Sequence, residues 1–590
     1  MPYASESDVP KVDKHLLKGS LQLDPWLIAV LACFTLFAWA NWAKVAAPII
    51  DVGREIEIPA RIVDGQLLYR DVVSFYGPLA YYANALALRL FGHHLEVFYA
   101  VGLVLALLAT LLFYRLAKRL TNTHWAALST IWMLIDCAIG PGPFHFILPY
   151  SHGAVYAIVL CLLAINFLDC YCCTGKIRWL LLAAITCGIA GLAKQEYGVA
   201  ALGGVLVGTN FYSPQNLGTR VVRSLFVVLA AVGSVILPLA LLAQQVSWEQ
   251  LYLWLLPIPK LGILNQSKMF QLSPVHTLYC WWSDFKVFFP TSLIVLVSVL
   301  AAHRLLKPRL VNSPRWFINI VELLVSIAIS FCGIILLSRS SFFTFYSDFG
   351  IFKPLHFLSW SVPLLVVWFA INRPQMGRYK NAPLMWTLVI FLLLLNARWL
   401  FSINFYGLYA WPLILLFFVP LHNLHQRTGG LLWRYSLVCL LIAGSLNLSS
   451  LAQFRYAVQS SYGTFYTANT ALTHALNQTI NAITASGYSS VLVLPEGNIL
   501  NFLTATHSPS RELTFFPTVF TTTKDEQDFI KRMQANPPDL IVYVPRTFPE
   551  WGYQTYGEFN PLVDQWITQQ HRLVNTFPMA DGAIRIYARD

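Results

Sequence analysis

The sequence predicts a polytopic α-helical membrane protein with about 13 transmembrane helices and a C-terminal extracytoplasmic α/β domain. Of its 590 residues, 57% are hydrophobic and only 12% are charged, whereas about a quarter of the residues of a soluble protein are charged. Apolar runs long enough to cross a bilayer as helices of about 20 residues recur along the chain. After residue 450 the pattern changes to short β-branched runs that alternate with helix-like stretches.

The predicted spans occupy a transmembrane domain, 25–449, that follows a cytoplasmic segment, 1–24. Each span is an apolar run bounded by charged or turn-forming residues, and several contain Pro or Gly. We place the spans at 26–48, 95–114, 124–140, 152–173, 178–193, 197–212, 224–244, 288–302, 317–338, 355–372, 383–397, 404–421 and 432–449.

Basic residues in the short loops predict the orientation of the chain in the plasma (inner) membrane. With a cytoplasmic N-terminus, the even-numbered connections carry clusters such as Arg115, Lys118 and Arg119. Cytoplasmic loops are enriched in Lys and Arg, so the first loop, 49–94, and the C-terminal domain, 450–590, are predicted to be extracytoplasmic. The net charge of +12 then indicates loops that face anionic lipid headgroups rather than nucleic acid.

The first loop begins with a dense group of charges, in "PIIDVGREIEIPARIVDGQLLYRD". Asp51 is the first polar residue after the apolar run, and Arg54 and Glu55 follow it by three and four positions. At helical spacing these three residues share one face. One interpretation is a functional cluster at the membrane surface. The alternative is that Asp51 caps a helix along the interface and Glu55 only solvates that helix.

A second pair of charges, Lys194 and Glu196 in "AKQEYG", lies between two apolar runs that meet on the same extracytoplasmic side. Charges at the membrane edge are costly and are candidates for function. The alternative is a lysine that extends to the headgroups with Glu196 as its partner. Tyr346 and Arg398 are further candidate donors on that side, with an ordinary interfacial position as the alternative.

The first loop resembles that of a known enzyme group. An Asp at the end of the first span, then "DGQLLYRD" and "YGPLAYYANALALRLFG", is similar to the first extracytoplasmic loop of bacterial family 39 glycosyltransferases. These are relatives of the protein O-mannosyltransferases and of lipid A aminoarabinose transferase, with the GT-C membrane fold. The resemblance extends to the span count, to "GLAKQEYGVAAL" and to the C-terminal α/β domain. One departure is Gly77, where several relatives carry a basic residue.

The resemblance implies transfer of a hexosyl or pentosyl group from a polyprenyl-phosphate-linked donor to an acceptor outside the cytoplasm. By the resemblance, Asp51 is the catalytic base and Arg54 contacts the donor phosphate. The chemistry agrees, because a carboxylate can take the acceptor's proton and the leaving lipid phosphate needs cations, for which Arg54 and Lys194 are available. Glu55, Glu196, Tyr346 and Arg398 are the supporting candidates. A single base would invert the anomeric centre.

No metal and no cofactor is expected. The second loop, "GPGPFHFILPYSHG", offers His145 and His152 but no carboxylate, which is a poor ligand set for a hard cation. The main alternative function is a flippase or transporter of a polyprenyl-linked lipid or oligosaccharide, although mid-membrane charges and paired repeats are not evident. A scaffold would not explain the charges of the first loop. The sugar and the acceptor, whether protein, lipid or glycan, stay open.

Overall fold

The computed structural model describes most of the chain. The described residues are 24–140, 142–212, 216–256, 274–338, 381–396, 411–428, 430–548 and 551–589. The predicted span 355–372 and the candidate residues Tyr346 and Arg398 lie outside them.

Helices make up the described part of the chain before residue 452. Asp24 caps the first helix by accepting a hydrogen bond from the N–H of Trp26, and Ser151 caps the helix that starts at His152 in the same way. The helices are α1 (Pro25–Asn41), α2 (Val52–Val63), α3 (Pro78–Phe91), α4 (Leu95–Leu120), α5 (Thr123–Met133), a π-helix (Leu134–Ala138), α6 (His152–Thr174), α7 (Ile177–Ala193), α8 (Gln195–Tyr212), α9 (Leu217–Leu242), α10 (Trp248–Leu255), α11 (Pro274–Leu310), α12 (Arg315–Ser338), α13 (Ala382–Asn396), α14 (Trp411–Thr428) and α15 (Leu431–Leu451).

Within the described residues, five helices are long and apolar enough to cross a membrane: α4, α6, α9, residues 315–332 of α12, and α15. Four shorter apolar helices lie in α1, α7, α13 and α14. Every predicted span in the described residues overlaps a helix. The chain is therefore a multi-pass membrane protein. The number of thirteen spans stays a prediction, since one of them lies outside the described residues.

The last part of the described chain contains β-strands. A two-stranded sheet pairs β1 (Tyr456–Ser460) with β2 (Gly463–Thr467) in antiparallel register. A four-stranded sheet has the order β3-β4-β6-β5, in which only β3 and β4 are parallel. The remaining elements are α16 (Thr470–Ser486), β3 (Val491–Leu494), α17 (Ile499–Thr504), α18 (Thr523–Ala535), β4 (Leu540–Tyr543), a 3₁₀ turn (Tyr556–Glu558), α19 (Pro561–Gln570), β5 (His571–Met579) and β6 (Gly582–Arg589). A C-terminal sheet domain is therefore present, as the sequence predicts.

The C-terminal sheet domain packs closely against the first loop. A Cβ atom at Gly53 of α2 would lie only 2.4 Å from the backbone N of Ile499, at the start of α17. The guanidinium of Arg61 donates a hydrogen bond of 2.7 Å to the carbonyl of Ser510, and the N–H of Val73 donates one of 3.0 Å to the carbonyl of Arg511. These contacts hold α2 between the helical bundle and the sheet domain.

Candidate active site

Asp51 lies in a tight backbone turn at the start of α2. Its φ is +61° and its ψ is −47°, and the N–H of Val52 donates a hydrogen bond of 2.6 Å to the carbonyl of Ile50 across it. This is a γ-turn of the rare and strained kind. Residues with such backbones persist where the surroundings hold them, and they cluster at functional sites. The side chain of Asp51 makes no capping hydrogen bond to α2, so the capping interpretation is wrong.

Arg54 connects the carboxylate of Asp51 to the interior. Its side chain is 6% exposed, and its Nη2 donates a hydrogen bond of 3.1 Å to Oδ1 of Asp51, whose side chain is 27% exposed. The guanidinium also donates to Glu55 Oε1 and to the backbone carbonyl of Tyr150, each at 3.4 Å. The i, i+3 spacing on α2 therefore joins Asp51 to Arg54, as the sequence predicts.

Glu55 is completely buried, which contradicts the interpretation that it solvates a surface helix. Its Oε1 accepts a hydrogen bond of 2.9 Å from the hydroxyl of Tyr81, and its Oε2 accepts one of 2.7 Å from the backbone N–H of His152. The Nδ1 of His152 lies 3.6 Å from the same oxygen. Glu55 thus ties α2 to α3 and to the start of α6. It fixes Arg54 rather than facing the site.

Lys194 reaches the same cluster from the junction of α7 and α8. Its side chain is only 3% exposed, and Nζ donates a hydrogen bond of 2.9 Å to the hydroxyl of Tyr150. Nζ also lies 3.5 Å from Oε1 of Glu196, whose side chain is 35% exposed. A lysine that extended to the lipid headgroups would be on the surface, so that alternative is wrong. Lys194 faces the protein interior beside the first loop.

The electrostatics of the first loop keep Arg54 and Glu55 ionised. Burial alone would lower the pKa of Arg54, but the neighbouring Asp51, Tyr76 and Glu55 raise it above its ordinary value. Burial likewise opposes ionisation of Glu55, but the hydrogen bond from His152 and the charge of Arg54 lower its pKa. A buried ion pair with its remaining hydrogen bonds satisfied is costly to break by removing one partner. The site therefore carries fixed charges.

A large apolar cavity is lined in part by residues that are close in sequence to this cluster. Its volume is about 720 Å³, and it lies between the first loop, α7 and α9. Pro78 and Leu192 line it, and both are close in sequence to the charged site: Pro78 follows Gly77, and Leu192 precedes Lys194 by two positions. A Cβ atom at Gly77 would lie 2.0 Å from the carbonyl of Leu192. Only glycine lets the two segments approach so closely.

The structure thus brings together five of the residues that the sequence singled out: Asp51, Arg54, Glu55, Lys194 and Glu196. It also adds aromatic and imidazole side chains that the sequence analysis did not select as site residues, namely Tyr76, Tyr81, Tyr150 and His152. The available signal was the aromatic density of the first two loops that the sequence predicts to be extracytoplasmic. Among the described residues, no group of three or more His, Cys, Asp or Glu side chains is placed to hold a metal ion, and independence of metal stays a prediction.

Comparisons with known proteins give structural neighbours only. No protein-family model matches the chain, and no curated protein matches it. The chain is similar to ArnT from Cupriavidus metallidurans bound to undecaprenyl phosphate, at 12% identity and a TM-score of 0.44, over 96% of this chain and 98% of ArnT. It is also similar to the apo oligosaccharyltransferase of Archaeoglobus fulgidus, at 12% identity and a TM-score of 0.48, over 97% of this chain and 75% of that one.

ArnT, an aminoarabinose transferase, belongs to the enzyme group that the first loop resembles. The same archaeal oligosaccharyltransferase, tethered to an acceptor peptide that contains the NVT sequon, matches at 12% identity and a TM-score of 0.41. This match covers 96% of the present chain and 75% of the oligosaccharyltransferase.

Proposed function

We propose that this protein is a glycosyltransferase that moves a sugar from a polyprenyl-phosphate-linked donor to an acceptor on the extracytoplasmic side of the plasma membrane. One observation carries the proposal. Two buried cations contact the same tyrosines, Tyr76 and Tyr150: Arg54, which is paired with the partly exposed carboxylate of Asp51, and Lys194. Pro78 and Leu192, which are close in sequence to this site, line an apolar cavity of about 720 Å³. The first loop and the end of α7 thus supply a base, a phosphate site and part of the wall of a site for a hydrocarbon chain.

Asp51 is the general base of the proposed reaction. An acceptor hydroxyl or amine attacks the anomeric carbon and transfers its proton to Asp51, while the bond from that carbon to the phosphate oxygen breaks. A positioned carboxylate contributes roughly 10²- to 10⁴-fold to such a step. The carboxylate of Asp51 is the accessible one, because Glu55 is completely buried. A direct displacement of this kind inverts the configuration of the sugar.

Arg54 and Lys194 are the ligands of the donor phosphate. The leaving group departs as a lipid phosphate that keeps the bonding electron pair, so it needs positive charge and hydrogen-bond donors rather than a proton. Glu196 is partly exposed and its contact with Lys194 is long, at 3.5 Å, so a phosphate oxygen can replace it. The lipid chain would occupy the apolar cavity. Two of the residues that line it, Pro78 and Leu192, are close in sequence to the charged site.

Native mass spectrometry of the purified protein tests the proposal without knowledge of the acceptor. In the wild type, we expect polyprenyl phosphate species to co-purify. Asp51→Asn keeps the cations and the cavity but cannot take a proton, so it should retain sugar-loaded polyprenyl phosphate, and the added mass would identify the sugar. In Lys194→Gln and Arg54→Gln, the affinity for the lipid phosphate should fall by roughly ten- to a hundredfold, so less of it should co-purify.

The matched control is Asp64→Asn, which removes a carboxylate of the same loop that lies at the far end of α2 and is 46% exposed. It should behave as the wild type. If Asp51→Asn carries the same proportion of sugar-loaded lipid as the wild type, Asp51 is not the base. A flippase or transporter, the alternative function, would give that result, because it binds the donor but needs no proton acceptor. If no variant carries a polyprenyl phosphate, the donor class is wrong.

A further inference from the structure

One tyrosine of the first loop contacts both cations of the site. The guanidinium carbon of Arg54 lies 5.3 Å from the centroid of the Tyr76 ring, and the Nζ of Lys194 lies 4.8 Å from it. Both distances are within the range in which a cation is attracted to the face of an aromatic ring. Arg54 is on α2 and Lys194 follows α7, so the Tyr76 ring joins cations from two separate segments.

A second tyrosine, from the loop before α6, bridges the same two cations with different atoms. The backbone carbonyl of Tyr150 accepts a hydrogen bond of 3.4 Å from Arg54. Its hydroxyl accepts one of 2.9 Å from Lys194, and the Lys194 Nζ lies 4.9 Å from its ring centroid. Three segments that are distant in the sequence therefore meet around Tyr76 and Tyr150.

Neutral rings suit this task better than carboxylates would. Two cations held close together repel each other, and the repulsion is strong where water is largely excluded. A carboxylate between them would offset the repulsion but would have to be displaced when a phosphate arrived. An aromatic ring attracts both cations through its negative face and carries no net charge. The rings therefore attract both cations without adding to the negative charge that Asp51 and Glu55 already place beside Arg54 and that Glu196 places beside Lys194.

We propose that Tyr76 and Tyr150 are positioning residues that hold Arg54 and Lys194 as a preformed pair for the phosphate of the lipid donor. The inference rests on the proposed function, because it assumes that the two cations bind a lipid phosphate. The ring of Tyr76 acts on both cations, whereas the hydroxyl of Tyr150 acts on Lys194 alone. Neither tyrosine has a part in the proton transfer.

The test is binding of undecaprenyl phosphate to purified Tyr76 variants. Tyr76→Phe keeps the ring and should bind within about twofold of the wild type. Tyr76→Leu and the larger Tyr76→Met remove the aromatic face. Each should bind undecaprenyl phosphate at least about 5- to 30-fold more weakly, since two cation–ring contacts of at least about 2- to 5-fold each are lost. Recovery by Phe, together with unchanged thermal stability, separates a role of the ring from a loss of packing.

A double-mutant cycle shows whether the ring acts through Lys194. Because part of the effect of Tyr76→Leu passes through that cation, the substitution should weaken binding less in a Lys194→Gln background than in the wild type. Tyr150→Phe, which removes the hydrogen-bond acceptor of Lys194, should weaken binding by a few fold, and by less than Tyr76→Leu.

The possible results separate this inference from the proposed function. If the wild type binds undecaprenyl phosphate and both Tyr76→Leu and Tyr76→Met bind it equally well, the role of the ring is wrong and the phosphate site stands. If Tyr76→Phe binds undecaprenyl phosphate as weakly as Tyr76→Leu, or if the effects in the double-mutant cycle are additive, the aromatic face of Tyr76 does not act through the cation. If the wild type does not bind undecaprenyl phosphate, the proposed donor is wrong and the inference falls with it.

Discussion

The strained turn at Asp51 predicts an unusual order of stability among inactive variants. Asp51→Ala and Asp51→Gly both remove the carboxylate and its contact with Arg54, so both should lose transfer activity. They differ only in the backbone. At an ordinary position, alanine is more stable than glycine by about 0.5–1 kcal/mol. With a φ of +61° and a ψ of −47°, a residue with a Cβ atom is strained by roughly 1–3 kcal/mol.

The two effects have opposite signs, and the strain is the larger. Taking about 2 kcal/mol for the strain and about 0.7 kcal/mol for the flexibility of glycine, Asp51→Gly should be more stable than Asp51→Ala by about 1 kcal/mol. The assay is the midpoint of unfolding by denaturant, measured by pulse proteolysis of the purified variants. Gly233→Ala is the control, because a Cβ atom there meets nothing within 4 Å and alanine should stabilise α9. If Asp51→Ala proves the more stable of the pair, the turn is not strained.

Three further predictions concern pH, metal and topology. Burial raises the pKa of Glu57 from 4.5 to about 8, so the folded protein keeps a proton that the unfolded chain releases. The free energy of unfolding should therefore fall as the pH rises from about 4.5 to 8. Thermal unfolding of Glu57→Gln should show a smaller fall in stability over this pH range. Equal dependence on pH in the variant and the wild type would contradict this prediction. Transfer from the donor should continue in the presence of EDTA. Activity that is lost in EDTA and restored by Mn²⁺ would show that the protein has a metal site. Cysteines that replace the exposed Arg70 and Ser489 should react with an impermeant thiol reagent in intact cells, and a cysteine that replaces Asn312 should not. Protection of a cysteine at position 489 would mean that the predicted orientation of the chain in the membrane is wrong.

Local spacing was enough to predict part of the site. Arg54 and Glu55 lie in the first turn of α2 and Asp51 directly precedes that helix, so the contact between Asp51 and Arg54 agrees with their i, i+3 spacing. Apolar runs likewise located the helices, because a bilayer requires about 20 apolar residues. These features depend on residues that are neighbours in the sequence. For the same reason, the position of Lys194 could be predicted only to one side of the membrane.

The tyrosines and the role of Glu55 depend on packing between distant segments. Glu55 is buried because Tyr81 of α3 and His152 of α6 donate hydrogen bonds to it, and nothing in the sequence near Glu55 indicates those partners. Tyr76 and Tyr150 are two of many aromatic residues in loops that were expected to lie on the membrane surface. Tyr76 lies next to Gly77, whose close approach to Leu192 brings the first loop to the end of α7, and this is a tertiary contact.

The C-terminal sheet domain has a direct part in presenting the proposed base. The turn at Asp51 is strained, so it persists only if the residues on both sides are held. Gly53 is held against the backbone of Asn498 and Ile499, at distances that leave no room for a Cβ atom. On the other side of Asp51, a Cβ atom at Gly497 would lie 3.9 Å from Cγ2 of Ile49, which is an ordinary contact distance. Both neighbours belong to the segment after β3, so a domain far from the first loop in sequence packs tightly against the residue two positions after Asp51 and lies near the residue two positions before it.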